Sequence, residues 1–188
     1  RVPPGAQAKA KASHRSPPEV GSLVDILADR LRDAEKLEQE ALARRMRSYE
    51  NALLVEMEPL HVQDEVFGHE DTFSYQPARV AVVVIRGTSE LDLLTALLAA
   101  RLVGAAVELY LDEAISGPLV ERIAVNGARR FASAPQLAGQ LAERSYERVR
   151  LLDPGGEALA VLAASAPLID GEPVSDSGYV ELRRYALE

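Results

Sequence analysis

The feature that most constrains this fold is the run Arg79–Ile85, whose sequence RVAVVVI is an almost unbroken series of β-branched residues. Such a run predicts a strand buried on both faces, which is typical of a parallel sheet covered by helices. Further strands are predicted at Ala105–Leu111, Arg129–Ala132, Glu147–Leu152 and Ala166–Asp170, and they begin 18 to 26 residues apart. That spacing leaves room for a right-handed helical crossover between successive parallel strands.

Helical patterns fill the intervals between these strands. Thr88 or Ser89 can cap the first helix, and Gly104 can end it. The predicted helices are Glu90–Val103, Pro118–Val125, Pro135–Arg144 and Pro154–Ala164. We therefore expect an α/β fold, with a Rossmann-like parallel sheet of four to five strands over about residues 79–188.

The part of the chain before the sheet divides into three segments. Residues 1–18 hold four prolines, four basic residues and no acid, and they predict a solvated tail or linker. Residues 19–57 carry an apolar stripe at helical spacing, from about residue 20, and they predict a helical arm. Residues 58–78 are interrupted by prolines and a glycine, and they predict an extended connector to the α/β domain of residues 79–188.

Composition narrows the class of function. The 188 residues carry a net charge of −8, which argues against nucleic acid as a main partner. The absence of cysteine excludes a cysteine nucleophile or a zinc–thiolate site within this sequence. We expect no transmembrane segment, because no apolar stretch approaches the roughly 20 residues that span a bilayer. Without a signal-peptide pattern, a cytoplasmic location is expected. The sequence begins at Arg1 rather than Met, so we expect a piece of a longer protein.

The turn after the first strand is the place to look for a nucleotide site, since ligands of open parallel sheets bind at the carboxyl ends of strands. A dinucleotide fingerprint needs three glycines, whereas this turn has only Gly87, and Glu90 places negative charge where phosphate would bind. Asp112, Asp153 and Asp170 each follow a predicted strand, and capping or turn formation explains them. We expect no cofactor-binding residues here.

No catalytic or metal site is predicted either. Residues 61–71 are acidic and contain two histidines, but they lack the spacing of a known ligand set, so a solvated loop is expected. The residues concerned are His61, Asp64, Glu65, His69, Glu70 and Asp71. No histidine follows His69 and no Gly-x-Ser-x-Gly turn occurs, which excludes a serine triad. The Asp153–Gly156 turn lacks the lysine of a phosphate loop.

Several stretches together resemble one family. Glu147–Asp153, Ile169–Val174 and Gly178–Tyr185 are similar to the end of bifunctional proline-catabolic enzymes, in which proline dehydrogenase is fused to L-glutamate γ-semialdehyde dehydrogenase. Gly68–Pro77 resembles the family's Asn-x-Phe-Arg-Tyr-x-Pro segment, and Pro4–Ala6 resembles the end of its aldehyde dehydrogenase core. The family is also called proline utilisation A.

The match has departures. Asp71 stands where the family has Asn, Ser74 where it has Arg, and Gln7 where Lys is usual, and the double glycine after that lysine is missing. Thr72 takes the place of the usual Val or Leu. The resemblance therefore rests on spacing and scattered identities over most of residues 65–188.

The resemblance implies a parent enzyme that oxidises L-glutamate γ-semialdehyde to glutamate with NAD, after an FAD-dependent step on proline. It implies that this segment is non-catalytic and binds neither cofactor. Its partner would be the dehydrogenase core of the same chain, and its role would be to help close the substrate tunnel.

Two other functions stay open from sequence alone. The chain could be a free-standing α/β module that binds a nucleotide or small metabolite. It could also be an interaction or oligomerisation domain that associates through the helices of residues 20–57.

Overall fold

The computed structural model describes residues 32, 36–57, 61–66, 69–117, 120–121, 127–152, 162 and 169–187, and for 36–38, 61–66 and 69–73 it describes the backbone. In chain order the elements are helix α1 (Lys36–Ala52), a π-helical turn (Leu53–Met57), β1 (His61–Val66), β2 (His69–Phe73), β3 (Gln76–Pro77), β4 (Arg79–Val84), α2 (Glu90–Leu102), β5 (Ala106–Asp112), β6 (Arg129–Phe131), α3 (Ala134–Ala142), β7 (Arg148–Leu152), β8 (Ile169–Asp170), α4 (Gly178–Arg183) and β9 (Ala186–Leu187).

Five of these strands form one parallel sheet in the order β6-β5-β4-β7-β8. By chain order within the sheet, this is third, second, first, fourth and fifth, which is the Rossmann strand order. The prediction of an α/β fold with a Rossmann-like sheet is confirmed. The strand predicted over residues 166–170 is described at Ile169–Asp170, and residues 166–168 lie outside the described part of the chain.

The central strand β4 is buried on both faces, as the β-branched run predicts. Val80, Val82 and Val84 face one layer of helices, and their exposed fractions are 1% or less. Ala81 and Val83 face the other layer and are fully buried. Alternate residues of a strand point to opposite faces, so an unbroken apolar run fits a strand with helices on both sides.

The two faces of the sheet have separate apolar cores. The first face is covered by α1, α2 and α4, and its buried residues include Leu42, Tyr49, Leu94, Leu152 and Leu182. The second is covered by α3, and its buried residues include Tyr110, Leu137, Leu141, Val149 and Leu151. The result is a three-layer sandwich in which every described helix packs on the sheet or on another helix.

Capping side chains and a glycine determine where the crossover helices begin and end. Ser89 caps α2, because its hydroxyl oxygen accepts a hydrogen bond from the Asp92 backbone N–H at 3.0 Å. Gly104 has a φ of 74°, the left-handed conformation that ends helices. Ser133 caps α3 in the same way through the Gln136 N–H. The helices predicted at Pro118–Val125 and Pro154–Ala164 lie mostly outside the described residues.

The segments around the sheet were less completely predicted. Within the connector, β1 and β2 pair as an antiparallel hairpin, and β3 pairs with β9 near the end of the chain. Of the helical arm, α1 and the π-helical turn are described, whereas the tail of residues 1–18 lies outside. Among the described helices, none is long and apolar enough to cross a membrane.

The last described segment, which contains α4 and β9, packs into the apolar core on the first face of the sheet. Helix α4 contacts α1, α2 and the π-helical turn, and Leu182 and Tyr185 are fully buried. Gly178 makes the closest approach: a Cβ atom at this position would lie 2.3 Å from the backbone oxygen of Ser48 in α1. The Gly178 N–H also donates to the Ser48 hydroxyl at 2.9 Å. Only a glycine allows α4 to start this close to α1.

Candidate functional site

The turn after β4 is held by hydrogen bonds to the protein's own backbone. Gly87 adopts a φ of 93°, and the Thr88 hydroxyl lies 2.7 Å from the carbonyl oxygens of both Ile85 and Leu152. Thr88 thereby ties this turn to the end of the neighbouring strand β7. The hydroxyl that could have contacted a ligand is directed toward protein backbone instead.

The amino end of α2 is already occupied by protein groups. Ser89 accepts the hydrogen bond of one of its free N–H groups, and Glu90 and Asp92 place two carboxylates in its first turn. Carboxylates at this end interact favourably with the helix dipole and repel a phosphate. The single glycine and Glu90, noted in the sequence, thus lie where a pyrophosphate would bind in a nucleotide-binding relative of this fold.

The aspartates that follow strands serve turns and ion pairs. The Asp112 carboxylate accepts from the Ala114 N–H at 2.8 Å, which closes a turn after β5. Asp170 accepts from the Glu172 N–H at 3.0 Å and forms an ion pair with Arg184 at 2.9 Å. Asp153 lies outside the described residues, as do Gly155 and Gly156.

The acidic connector lies in the β1–β2 hairpin. The backbone register places Asp64 opposite Asp71 and Glu65 opposite Glu70, while His61 lies opposite Phe73. Among the residues whose side chains the structure describes, which do not include those of this hairpin, no three histidine, aspartate or glutamate residues form a group that could hold a metal ion.

The strongest polar arrangement in the described structure is one that sequence reasoning missed. Arg150 in β7 and Glu181 in α4 are both fully buried, and their side chains meet at 3.4 Å. Arg150 also donates to the carbonyl oxygens of Glu172 at 2.6 Å and Asp170 at 3.3 Å. We call Arg150, Asp170, Glu181, Arg184 and Tyr185 the buried charge cluster.

Glu181 is the centre of this cluster. Its Oε2 accepts from the Ser175 N–H at 2.8 Å and from Arg184 at 2.9 Å, and its Oε1 accepts from the Tyr185 hydroxyl at 3.2 Å. Two guanidinium groups and two carboxylates therefore balance in charge, and the hydrogen bonds of Arg150 and Glu181 connect β7, α4 and the segment between β8 and α4. A buried ion pair needs such additional hydrogen bonds to offset the loss of hydration.

The buried environment shifts the proton affinities of the cluster. Burial raises the pKa of Tyr185 well above its ordinary value, and the Glu181 carboxylate raises it further. Burial opposes the charge on Arg150, but the neighbouring Tyr185, Glu181 and Asp170 outweigh this effect and hold its pKa above the ordinary value. Arg150 therefore stays charged and Tyr185 stays neutral over the physiological range of pH.

Two further contacts join the segment just before α4 to α1. The Tyr49 hydroxyl donates to the Ser175 carbonyl oxygen at 2.6 Å. Arg45 donates to Asp176 at 2.9 Å and reaches Asp92 of α2 at 3.3 Å. The helical arm, α2 and the segment before α4 are consequently joined through charged and polar groups as well as apolar packing.

A second polar cluster lies near the amino ends of β4 and β6. Glu108 accepts from the Tyr146 hydroxyl at 2.7 Å and pairs with Arg79 and Arg144 at 3.3 and 3.4 Å. Burial alone would raise the pKa of Glu108, but Tyr146 and the guanidinium groups outweigh it and hold that pKa below its ordinary value. The side chains of Glu108, Arg79 and Arg144 are partly exposed whereas Tyr146 is buried, so the cluster lies where the second core meets the surface.

Comparisons with known proteins add little to this description. No family model matches the chain, and no curated protein matches it. Among solved structures, histidinol dehydrogenase from Elizabethkingia anophelis is similar at 12% identity with a TM-score of 0.48, over 84% of this chain and 40% of that one. The chain thus spans less than half of that protein, and a likeness at this level supports no statement about fold or activity.

The observed strand order and contacts define the class of the protein. It is an α/β domain with a Rossmann-type sheet, a filled turn at the usual phosphate position and a C-terminal segment held by a buried charge cluster.

Proposed function

We propose that this chain is the non-catalytic C-terminal part of a proline-catabolic enzyme, as its sequence resemblance implies. The parent would oxidise L-glutamate γ-semialdehyde to glutamate with NAD, after an FAD-dependent step on proline, and would act in the cytoplasm. This part would serve the architecture of the enzyme and assist closure of the substrate tunnel. Its partner would be the dehydrogenase core of the same chain.

The observation that carries the proposal is the way the β4–α2 turn is filled. Thr88 bonds backbone oxygens, Ser89 caps α2, and Glu90 brings negative charge to the helix end. A Rossmann-type domain that bound a dinucleotide would need those N–H groups and that space for the pyrophosphate. The arrangement favours a domain that keeps the fold and no longer uses its nucleotide position.

The buried charge cluster supports an architectural role. Residues 170–187 are held by Arg150 of this cluster, and separately by Tyr49 of α1 and by strand β3 of the connector. A segment that must cover a distant site needs a defined starting position and direction. Contacts to three separate elements provide that definition.

A thermal-unfolding experiment with NAD tests the non-binding role directly. A ligand at one hundred times its dissociation constant stabilises a protein by about 2.7 kcal/mol. For a chain of this length that corresponds to a rise in melting temperature of roughly 5–11 °C. We expect no rise with NAD at millimolar concentration, and a rise of that size would support the nucleotide-binding alternative instead.

The identity of the parent is tested by the coding sequence upstream of Arg1. We expect a dehydrogenase core with a catalytic cysteine. If the upstream sequence encodes none, the assignment to the proline-catabolic family fails, whatever the NAD experiment shows.

One observation favours the helix-mediated interaction domain as a second candidate. Leu54 and Val55 in the π-helical turn are 57% and 54% exposed, which is high for large apolar side chains next to a core. Sedimentation of the intact chain and of a Leu54→Ser/Val55→Ser variant tests this role. If the intact chain forms an oligomer and the double substitution converts it to a monomer, the interaction role is supported. If the intact chain is a monomer at high concentration, that result counts against the interaction role.

A further inference from the structure

Helix α1 and the π-helical turn that continues it have one face in the first core and one face in solvent. Tyr49 and Ala52 belong to the buried face. Four residues of the other face are exposed and lie along one line of the helix: Ala43, Arg47, Glu50 and Leu54. We call these four residues the α1 stripe.

The α1 stripe has the spacing of a helix–helix contact. Its members are four, three and four residues apart. Alternating steps of three and four residues keep side chains on one side of a helix, and two helices that pack along their length use this spacing. With 3.6 residues per turn, the partly buried Met46 and Leu53 lie along the border between the stripe and the core. The stripe is therefore continuous with apolar surface.

The order of the two charges selects a partner and a direction. Two copies of α1 packed in parallel would place Arg47 against Arg47 and Glu50 against Glu50, and like charges repel. If one copy is reversed about a two-fold axis midway between positions 47 and 50, Arg47 lies opposite Glu50 of the second copy. The same rotation places Ala43 opposite Leu54 of the second copy, which sets a small side chain against a large one. Each contact occurs twice because the axis relates the two copies.

We propose that the α1 stripe is the contact surface of a homodimer in which the α1 helices of two copies pack antiparallel. Arg47 of each copy pairs with Glu50 of the other, and Leu54 of each copy packs on Ala43 of the other. The proposal rests on the second candidate function, the interaction domain, because it names the partner of that surface. It does not depend on the proline-catabolic parent.

The size of the contact predicts a weak and reversible dimer. Positions 43 to 54 cover about three helical turns, or roughly 17 Å. Leu54 is 57% exposed and its neighbour Val55 is 54% exposed, so association would remove large apolar side chains from water. A pair of helices of this length buries less than the standard interface of about 1,600 Å². We therefore expect a dimer that dissociates on dilution.

Sedimentation equilibrium of the intact chain measures this association, and charge reversals test the pairing. Arg47→Glu brings a second carboxylate to Glu50 of the other copy, and Glu50→Arg brings a second guanidinium to Arg47. Each reversal turns two attractive contacts into two repulsive ones. Each should therefore weaken the dimer by about tenfold or more.

A mixture of the two variants gives the sharpest measurement. One Arg47→Glu chain and one Glu50→Arg chain have opposite charges at both contacts, so they should associate at concentrations at which each variant alone is a monomer. The double variant Arg47→Glu/Glu50→Arg should dimerise as the original chain does. Arg101→Glu is the matched control, because it reverses an exposed charge at the end of α2 and should leave the affinity unchanged. Circular dichroism of each variant checks its fold.

The possible failures have different meanings. If the intact chain is a monomer at the highest concentration reached, both this dimer and the interaction role are wrong, and the stripe is left for a different protein. If the chain dimerises but the charge reversals do not change the affinity, this pairing is wrong and the interaction role stands. If the reversals weaken the dimer and the mixed variants still do not associate, the antiparallel arrangement is wrong.

Discussion

The replacement Glu181→Ala tests whether the buried charge cluster holds the C-terminal segment. This change removes the acceptor for Arg150, Arg184, Tyr185 and the Ser175 N–H at once. Arg150 would remain fully buried beside a cavity, with the Asp170 carboxylate at 3.5 Å as its nearest remaining charge. Because a fully buried guanidinium cannot recover its hydration, the folded state should lose stability.

The magnitude follows from the contacts that remain. Removing one partner of a buried ion pair costs about 3–5 kcal/mol. Arg150 keeps its hydrogen bonds to the carbonyl oxygens of Asp170 and Glu172, which places the expected loss near 3 kcal/mol, the lower end of that range. For 188 residues, this corresponds to a fall in melting temperature of roughly 6–12 °C.

Urea unfolding followed by circular dichroism measures this loss. The double replacement Arg150→Met/Glu181→Leu should recover most of the stability, because it leaves no uncompensated charge. Arg144→Gln is the matched control, since it breaks a pair with Glu108 at the surface and should cost less than about 1 kcal/mol. The reasoning fails if Glu181→Ala costs no more than this control, or if the double variant is the least stable of the three.

Three further predictions concern single positions. Gly178→Ala should destabilise the fold by about 1–3 kcal/mol in urea unfolding, because its Cβ would lie 2.3 Å from the Ser48 backbone oxygen. The control is Gly139→Ala in α3, where the added Cβ has free space and the change should be neutral or stabilising by up to about 1 kcal/mol. Tyr49→Phe removes the hydrogen bond to the Ser175 carbonyl oxygen and should lower the free energy of unfolding in urea by about 1 kcal/mol. Glu108→Gln should lower stability at neutral pH but not at acidic pH, which unfolding at several pH values measures.

The sign of the Glu108 prediction follows from its lowered pKa. A carboxyl group whose pKa is lower in the folded state stabilises the fold above its unfolded pKa, and that stabilisation disappears as the pH falls through the folded value. The difference between the parent chain and Glu108→Gln should therefore begin to shrink as the pH falls through the ordinary pKa of glutamate, about 4.3, and should go on shrinking over the range below it. A difference that stays constant over this range would contradict the cause assigned to the pKa of Glu108.

The sheet could be predicted because its signal is local. The run at Arg79–Val84 is apolar at every position after the first, and its short length and β-branched side chains favour a strand over a buried helix. Ser89 and Gly104 mark the ends of α2 through hydrogen bonds and dihedral angles that involve only near neighbours. The order of the strands, however, was found only in the structure.

The buried charge cluster could not be predicted because its partners are distant in sequence. Arg150 and Glu181 are 31 residues apart, and the arginine stands in a strand pattern where a charged residue would suggest an exposed position. Helix α4 was not predicted, since six residues give too short a pattern to distinguish a helix from a strand. Its Gly178 is significant only because α1 passes directly beside it.

By itself, the sequence determined the α/β class, the central strand and the absence of a dinucleotide fingerprint, since each depends on residues close together along the chain. Only the tertiary structure decided which side chains are deprived of water. Burial made Arg150 and Glu181 an ion pair that water does not reach and that holds α4 against the sheet. The cost of removing charge from water depends on what surrounds it in space, and the order of residues alone does not give that information.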